Sequence, residues 1–412
     1  MNYGLIGEKL GHSFSADIHN RLFGYDYELK ELKPDELSTF LCNRDFKGIN
    51  VTIPYKQAVI PYLDYLDESA KCIGVVNTIV NTDGKLYGYN TDYFALKALI
   101  ARLEITLEGK TVLILGSGAT SKTALAVSES LDATRILRVS RKEQEGCITY
   151  AQAIEQYGDA EIIINTTPSG MYPNNGACPI DLSLFPRLQG AIDVVYNPLR
   201  TKLVCDATQR GIPAISGLYM LVAQAAYAGA LFTGKTLQDE QIDAAFRSLT
   251  AQKQNVVLIG MPGCGKSTVG QELALKIGFE FIDTDKEIER IEGRPIVDIF
   301  ATDEEEKFRE LETSVIEAVS KRHHCVIATG GGAVLNTANM MHLRQNGCIY
   351  FLDRSLALLS ATADRPLSSN REALEKLYRE RYDRYCAACD KHISANGTIP
   401  DIVKLIREDL TL

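Results

Sequence analysis

The stretch Val256–Thr268, VVLIGMPGCGKST, constrains this chain more than any other. The apolar run Val256–Ile259 reads as a buried strand, and a glycine-rich turn with the spacing G-x-x-x-x-G-K-S follows at once, at Gly260, Gly265, Lys266 and Ser267. Gly263 and Gly265, on either side of Cys264, let the backbone bend so that successive N–H groups face a phosphate. The N-terminus of the helix that follows, through Thr268, adds partial positive charge. Lys266 then reaches the outer phosphates, and Ser267 offers a hydroxyl to Mg²⁺, an ion that keeps several waters and takes few protein groups. A chance turn before a helix accounts for the glycines but not for strand, spacing and Lys-Ser together. Because a nucleotide-binding fold starts at this motif, everything before it belongs to a separate unit.

A chain of 412 residues suggests two or three domains. Its hydrophobic content of 45% and charged content of 24% are those of an ordinary globular protein, so no class is excluded on that ground. The net charge of -9 and the absence of basic runs argue against a nucleic-acid partner, while a local Arg/Lys pocket still suits small anions. The opening MNYGLIGEKLGHS lacks the charged and apolar regions of a signal peptide. The longest nearly uncharged stretch, Gly217–Phe232, contains Gln224 and is too short to span a membrane comfortably. A cytoplasmic protein without a membrane partner is expected. Of the ten cysteines only Cys386 and Cys389 form a C-x-x-C pair, with no second pair or nearby His to complete a zinc site, so reduced structural thiols are expected.

Up to about residue 100, short apolar runs alternate with turns and helical stretches. Polar groups gather at the ends of those runs: His12-Ser13-Phe14-Ser15 after Tyr3–Ile6, Asn50 to Lys56 after Lys47-Gly48, Asn77-Thr78 after Val75-Val76, and Asn90-Thr91-Asp92 after Tyr89. Strand ends of α/β sheets form ligand crevices. N-caps and turns use the same residue types, so one cluster alone decides nothing, but four in succession point to a site.

Thr111–Leu115 leads into Gly116-Ser117-Gly118-Ala119-Thr120-Ser121, a strand entering G-x-G-x-x-small, which resembles a dinucleotide fingerprint with Ser121 in place of the third glycine. The next strand, Arg135–Val139, ends in Ser140-Arg141-Lys142. An acid there would hold a ribose 2′-OH, whereas an Arg accommodates a 2′-phosphate, so NADP(H) is favoured over NAD(H), unless the two cations are only a solvated surface pair. Ile162–Ile164 before Asn165-Thr166-Thr167-Pro168, and Ala191–Val195 before Tyr196-Asn197-Pro198, continue the rhythm of a parallel sheet. Gly217–Phe232 and Asp239–Leu249 read as helices, and Thr250–Gln254 as a short polar linker. Beyond the P-loop, Phe281–Asp285 reads as a strand, Glu304–Glu312 as a charged helix segment, and Val326–Ala328 and Gly347–Leu352 as further strands.

GLIGEKLGHSFSADIHN, GINVTIPYK, IGVVNT, YNTD, GSGATSK, NTTPSGM, DVVYNPLRT and GLYMLVAQAA occur in that order, and through them the chain from Gly4 to about Leu249 resembles shikimate 5-dehydrogenase. From Asn255 onward the P-loop, Asp283/Asp285, FRELE at Phe308–Glu312, Gly330-Gly331-Gly332 and Arg365-Pro366-Leu367 resemble shikimate kinase. The resemblance implies three α/β domains. Residues 1–102, completed by 218–249, form a substrate-binding domain; 103–217 form an NADP-binding Rossmann-like domain; and 255–412, after the 250–254 linker, form a P-loop domain of the nucleoside-monophosphate-kinase type. It implies the substrates 3-dehydroshikimate and shikimate, with NADPH, ATP and Mg²⁺.

By motif, the resemblance makes Lys56 and Asp92 the catalytic pair of the first reaction. It makes Ser13, Ser15, Thr52, Asn77, Tyr196 and Gln224 substrate contacts, and Gly116, Gly118, Ala119, Ser140, Arg141 and Lys142 the dinucleotide grip. In the second half it implies that Lys266 and Asp285 act in catalysis, that Arg309, Arg381 and the triple glycine hold the substrate, and that Gly263 to Thr268 hold ATP. Ser267 and Asp283 attend the metal, and Arg365 is a lid arginine beside the moving phosphoryl group. Departures from the patterns are Ala16 for Pro, Ala95 for Gly, Glu304 for Gly, a short segment between Leu352 and Arg365, and Leu358 where an adenine-stacking Arg is common. Two other readings stay open at this point: one half retained only as a binding or regulatory module, or a first half acting on quinate-like acids.

Overall fold

The computed structural model describes residues 1–11, 13–302, 305–359 and 370–410. Contacts divide it into two compact units, Met1–Leu249 and Thr250–Leu412.

The first unit holds two sheets. One is built from β1 (Tyr3–Gly7), β2 (Glu28–Glu31), β3 (Gly48–Val51), β4 (Tyr65–Leu66), β5 (Thr78–Thr82) and β6 (Lys85–Tyr89), in the order β2-β1-β3-β5-β6-β4. Strands β1, β2 and β3 run parallel, while the β5–β6 hairpin adds antiparallel. Its two-residue turn, Asp83-Gly84, has φ of 51° and 78°, the left-handed pair such a turn requires.

The second sheet comprises β7 (Thr111–Leu115), β8 (Arg135–Ser140), β9 (Ile148–Thr149), β10 (Ile162–Asn165), β11 (Gly190–Asp193) and β12 (Ala214–Ser216), ordered β12-β11-β10-β7-β8-β9 and parallel throughout. Helices cover both faces of such a sheet, and its central strands are accordingly continuous apolar runs with no exposed face. The chain leaves β7 in opposite directions to β8 and β10, which opens a crevice beyond the carboxyl ends of those strands. The first sheet has a cluster of its own around Ile6, Ile49, Val51 and Ile79, while helices Ser15–Phe23, Thr91–Arg102 and Leu218–Thr233 form one apolar cluster with β7 and β10. Gly229 is needed there because a Cβ would fall 2.1 Å from the Phe23 ring.

The second unit has one parallel sheet of β13 (Asn255–Ile259), β14 (Glu280–Asp283), β15 (Cys325–Ala328), β16 (Gly347–Asp353) and β17 (Lys391–Ser394), ordered β14-β15-β13-β16-β17. Its core is a cluster of its own.

Three boundaries differ from the sequence expectation. Strand β14 stops at Asp283, because the Asp283 carboxylate accepts from the Asp285 and Lys286 amides and so caps the helix Thr284–Glu292; Asp285 therefore lies in a first helical turn and not on a strand. Strand β11 ends at Asp193 rather than Val195, where the Asp193 carboxylate turns the chain by accepting from the Val195 amide. The helix beginning at Asp239 continues to Lys253, so most of the stretch expected as a linker is helical.

Burial without charge is most marked at His19, fully buried in the helix Ser15–Phe23. Its ring stacks 4.0 Å from Tyr27, and Nδ1 lies 2.6 Å from the Tyr25 hydroxyl. Burial lowers its pKa to about 3, against a smaller opposing contribution from Asn50. Below pH 6.5 the unfolded chain binds a proton that the native state refuses, so stability is complete above 6.5 and falls as pH drops toward 3. A single such group steepens the decline by up to about 1.4 kcal/mol per pH unit. We expect His19→Gln to flatten that part of the pH profile of urea unfolding of the first unit; an unchanged slope would show that His19 titrates normally.

Candidate active sites

Lys56 lies just past β3, and its carbonyl accepts from the Val76 amide at 2.8 Å. Its ammonium donates to Asp92 Oδ2 at 2.5 Å, with the two side chains 12% and 9% exposed. A pair so well withdrawn from water keeps much of its Coulomb attraction, unlike a surface ion pair. Asp92 occupies the first turn of Thr91–Arg102, where the helix terminus favours a carboxylate. Asn90 caps that helix through the Tyr93 amide and donates to the Val75 carbonyl and Thr123 Oγ1, tying the acid to the helix of the neighbouring sheet.

Beside the pair runs a buried polar chain. Asn77 Oδ1 accepts from the Thr91 amide at 2.7 Å, Asn77 Nδ2 donates to Thr91 Oγ1, Asn50 Nδ2 donates to Thr78 Oγ1, and Tyr27 donates to Asn50 Oδ1. Ser13 donates to Ser15 Oγ at 3.1 Å, and the Phe14 ring between them packs 5.4 Å from Tyr196. Thr52 turns its methyl toward Gly7, and Gln224 donates to the Leu221 carbonyl of its own helix. Among the described residues neither Thr52 nor Gln224 bonds to Lys56 or Asp92. His12 lies outside the described residues.

At the crevice of the second sheet, Gly116 has φ of 119°, and a Cβ there would sit 2.6 Å from Thr166 Oγ1, so β7 and β10 close tightly only around glycine. Gly118 precedes the helix Ala119–Ser130, and a Cβ on it would meet nothing within 4 Å, which leaves that face of the loop free for a pyrophosphate. Ser121 does what the missing third glycine would not: it is buried and donates to the Gly118 carbonyl at 2.7 Å. Arg141 and Lys142 are exposed just past β8, where Ser140 Oγ accepts from the Lys142 amide. These groups fit a dinucleotide carrying an extra phosphate.

The second unit gathers its chemistry at the carboxyl edge of its sheet around a cavity of about 500 Å³. The P-loop glycines Gly260, Gly263 and Gly265 have φ of 147°, 79° and 99°, and helix Lys266–Ile277 begins directly behind them. Lys266 is buried and donates to the carbonyls of Gly260 and Met261 at 2.8 and 3.0 Å. Cys264 is 1% exposed, so it contributes its backbone to the loop. Ser267 donates to Asp283 Oδ2 at 2.6 Å, an oxygen pair suited to a magnesium ion that keeps most of its waters.

Across the cavity, Arg309 is gripped from two sides. Glu312, fully buried, accepts from Nη1 at 2.9 Å, and the exposed Glu305 accepts from Nη2 at 2.9 Å. Burial pushes the Glu312 carboxyl up while Arg309 pulls against it. The triple glycine is a consequence of this crowding: a Cβ on Gly330 would lie 2.5 Å from Asp285 Oδ1, and one on Gly332 would lie 2.3 Å from Arg309 Nη1. Arg381 hangs from the Gly331 carbonyl by Nη1 at 2.9 Å, and its buried Nε has no hydrogen-bond partner among the described residues. That open donor beside Arg309 fits a carboxylate. Sequence reasoning assigned no role to Glu305 or Glu312, although their spacing of four before and three after Arg309 on one helix was the available signal. Arg365 and Glu304 lie outside the described residues.

A dinucleotide crevice beside a buried Lys–Asp pair, followed by a P-loop unit with an acceptor cavity, defines an oxidoreductase joined to a phosphotransferase. The family model for the shikimate dehydrogenase substrate binding domain matches residues 5–79, and that for shikimate kinase matches residues 262–411. The NADP(+) shikimate dehydrogenase of Clostridium perfringens strain 13 is 38% identical over 250 residues, which span 56% of this chain and 92% of that protein. The Geobacillus kaustophilus enzyme of the same name is 36% identical over 258 residues, 57% of this chain and 92% of that one. Among solved structures, shikimate dehydrogenase 1 of Peptoclostridium difficile aligns with a TM-score of 0.56 at 34% identity, covering 60% of this chain and 98% of its own. A chorismate mutase/shikimate 5-dehydrogenase fusion protein from Clostridium acetobutylicum aligns equally, at 0.56 and 33%, covering 60% and 96%. The chain belongs to the shikimate dehydrogenase family and carries a shikimate kinase domain behind it.

The Arg309–Glu312 pair lies within the one helix Glu305–Ser320, three residues apart on its cavity side. In Glu312→Gln the partly buried guanidinium loses its charged partner on the inner side and keeps only the exposed Glu305. We expect a loss of about 2 kcal/mol, read as faster amide exchange along that helix with the first unit unchanged; identical exchange would mean that the pair does not stabilise the helix.

Proposed function

We propose that the first unit reduces 3-dehydroshikimate to shikimate with NADPH and that the second phosphorylates shikimate with ATP to shikimate 3-phosphate. The Lys56–Asp92 pair carries the first assignment. NADPH supplies the hydride when bound, and charge then develops on the carbonyl oxygen of the substrate. Lys56 Nζ, aimed by Asp92, stabilises that oxygen and donates the proton that completes the alcohol. Hydroxyls and amides from Ser13, Ser15, Thr52, Asn77, Tyr196 and Gln224 suit a polyhydroxylated acid. Gly116, Gly118 and Ala119 receive the pyrophosphate, and Ser140, Arg141 and Lys142 the 2′-phosphate.

One cavity lined by both P-loop and acceptor-side residues carries the second assignment. Asp285 accepts the proton of the attacking hydroxyl, and Arg309 and Arg381 hold the substrate carboxylate in planar two-pronged contacts that a lysine would not reproduce. Lys266 neutralises the outer phosphates, which ATP supplies, and Ser267 with Asp283 holds Mg²⁺. Arg365 is assigned to the lid by its motif alone. No helix among the described residues is long and apolar enough to cross a membrane. The ten cysteines form no disulfide among the described residues, which suits a reducing compartment, and from this we infer a cytoplasmic location.

Two substitutions test the assignments against each other. Lys56→Ala should lower dehydrogenase turnover by about a hundredfold or more while NADPH binding persists. Lys266→Ala should remove phosphoryl transfer and leave NADPH oxidation within about a factor of two. Near-normal turnover of either reaction in its own variant, with the protein folded, would overturn that half of the reading.

Cofactor choice gives a separate test. Arg141→Asp replaces a cation suited to the 2′-phosphate by an acid suited to a ribose hydroxyl, so preference should move from NADPH toward NADH by about tenfold or more. Equal use of both cofactors by the unaltered enzyme would free Arg141 from this role.

A further inference from the structure

Strand β16 lies next to the P-loop strand β13 with Ile259 opposite Phe351, so the chain that follows Phe351 runs alongside the loop that follows Ile259. The closeness is backbone on backbone: a Cβ on Gly260 would sit 2.8 Å from the Leu352 carbonyl oxygen. Two residues further on stands Arg354. A Cβ on Gly265 would have Arg354 Nη1, at 4.0 Å, as its nearest neighbour, so the guanidinium reaches over the bare face of the phosphate loop at the residue before Lys266.

Among the described residues nothing uses that guanidinium. Among the described residues no carboxylate or carbonyl pairs with it, and its Nε is buried without a hydrogen-bond partner. The adjacent Asp353 is taken up elsewhere, accepting from Tyr382 at 3.1 Å and lying 2.9 Å from His392 Nε2. A buried donor left open costs stability unless a ligand completes it. The ligand must be anionic and must lie against Gly265, and the P-loop is where a polyphosphate lies. Lys266 is a single cation and cannot alone balance a triphosphate, so a second cation beside the loop has a charge to meet.

We propose that Arg354 is a nucleotide-binding residue of the kinase unit, donating from its guanidinium to non-bridging oxygens of the ATP polyphosphate on the side of the P-loop away from β15. This rests on the reading of the second unit as an ATP-dependent kinase. The contact is to phosphate and not to the base, because the anchor is Gly265, whose backbone belongs to the phosphate cradle.

The full-length protein and its Arg354→Ala and Arg354→Lys variants would be compared for the KM of ATP, the KM of shikimate, the ATP-to-GTP preference, and competition by inorganic tripolyphosphate, which has no base. Thermal unfolding of the second unit serves as the control for folding, since that unit closes a core of its own. Arg354→Ala should raise the KM for ATP and weaken tripolyphosphate by a similar factor of about ten, with the KM for shikimate and the ATP-to-GTP ratio held; Arg354→Lys should recover much of the loss. Unchanged ATP and tripolyphosphate affinities in folded Arg354→Ala would overturn the proposal while leaving the kinase reading intact. So would a shifted ATP-to-GTP ratio with tripolyphosphate unaffected, since the arginine would then face the base. If the unaltered protein binds neither ATP nor tripolyphosphate, the kinase reading itself falls, and this proposal with it.

Discussion

A parallel strand can pair with its neighbour only after the chain has crossed back to the starting edge, so every strand of a parallel sheet delivers its carboxyl end, and the loop that follows, to the same side. In the second unit this single constraint assembles the cavity. Strand β13 delivers the P-loop, β14 delivers Asp283 and Asp285, and β15 delivers the triple glycine, while β16 brings Arg354 beside the P-loop outside that lining. In the all-parallel sheet of the first unit the same constraint brings Gly116 against Thr166. The mixed sheet works differently. Its antiparallel hairpin places Asn77 and Asn90 at one end, and the chain past β3 brings Lys56 to meet them from a strand running the other way.

Where the backbone gathers charges, side chains must then hold them ready. Lys56 is held by Asp92, Arg309 by Glu312 and Glu305, and Lys266 by the carbonyls of Gly260 and Met261. In each case a cation to which a ligand contact is proposed is already partly desolvated and already bonded. This lowers the cost of stripping it of water when the ligand arrives, and fixes its direction in advance. The glycines at 330 and 332 follow from the same crowding, since side chains there would displace the Asp285 carboxylate and the Arg309 guanidinium.

The sequence made legible whatever is written locally. The P-loop, the strand runs around it, the Lys56 and Asp92 motifs and the cations after β8 are all set by spacing within a few residues, and the structure places them at strand ends as expected. Less legible was whatever depends on a competition between neighbours. Asp285 reads as the end of a strand because Phe281–Ile282 is apolar, yet the capping power of Asp283 starts a helix at Thr284, before that expected end. Residues 250–253 are polar and read as a linker, yet a helix already under way continues through them at little cost. Long-range partners outside the recognised motifs were invisible. Nothing near Arg354 in the chain says that it will lie over Gly265, some ninety residues earlier, because that contact exists only through the β13–β16 register.

The separateness of the two chemistries follows from where apolar surface is buried. In the first unit the helices Thr91–Arg102 and Leu218–Thr233 close one core with β7 and β10, so Asp92 and the dinucleotide crevice are stabilised by shared side chains such as Leu96, Ile114 and Val222. The second unit closes its own core around β13, with Val257, Leu258, Ile327 and Ile349 at its centre. Hydrophobic stabilisation is roughly proportional to area removed from water, and neither of these clusters draws members from the other unit. Each site is therefore supported by packing within its own unit, and a side chain changed beside the P-loop leaves the packing around the Lys56–Asp92 pair untouched.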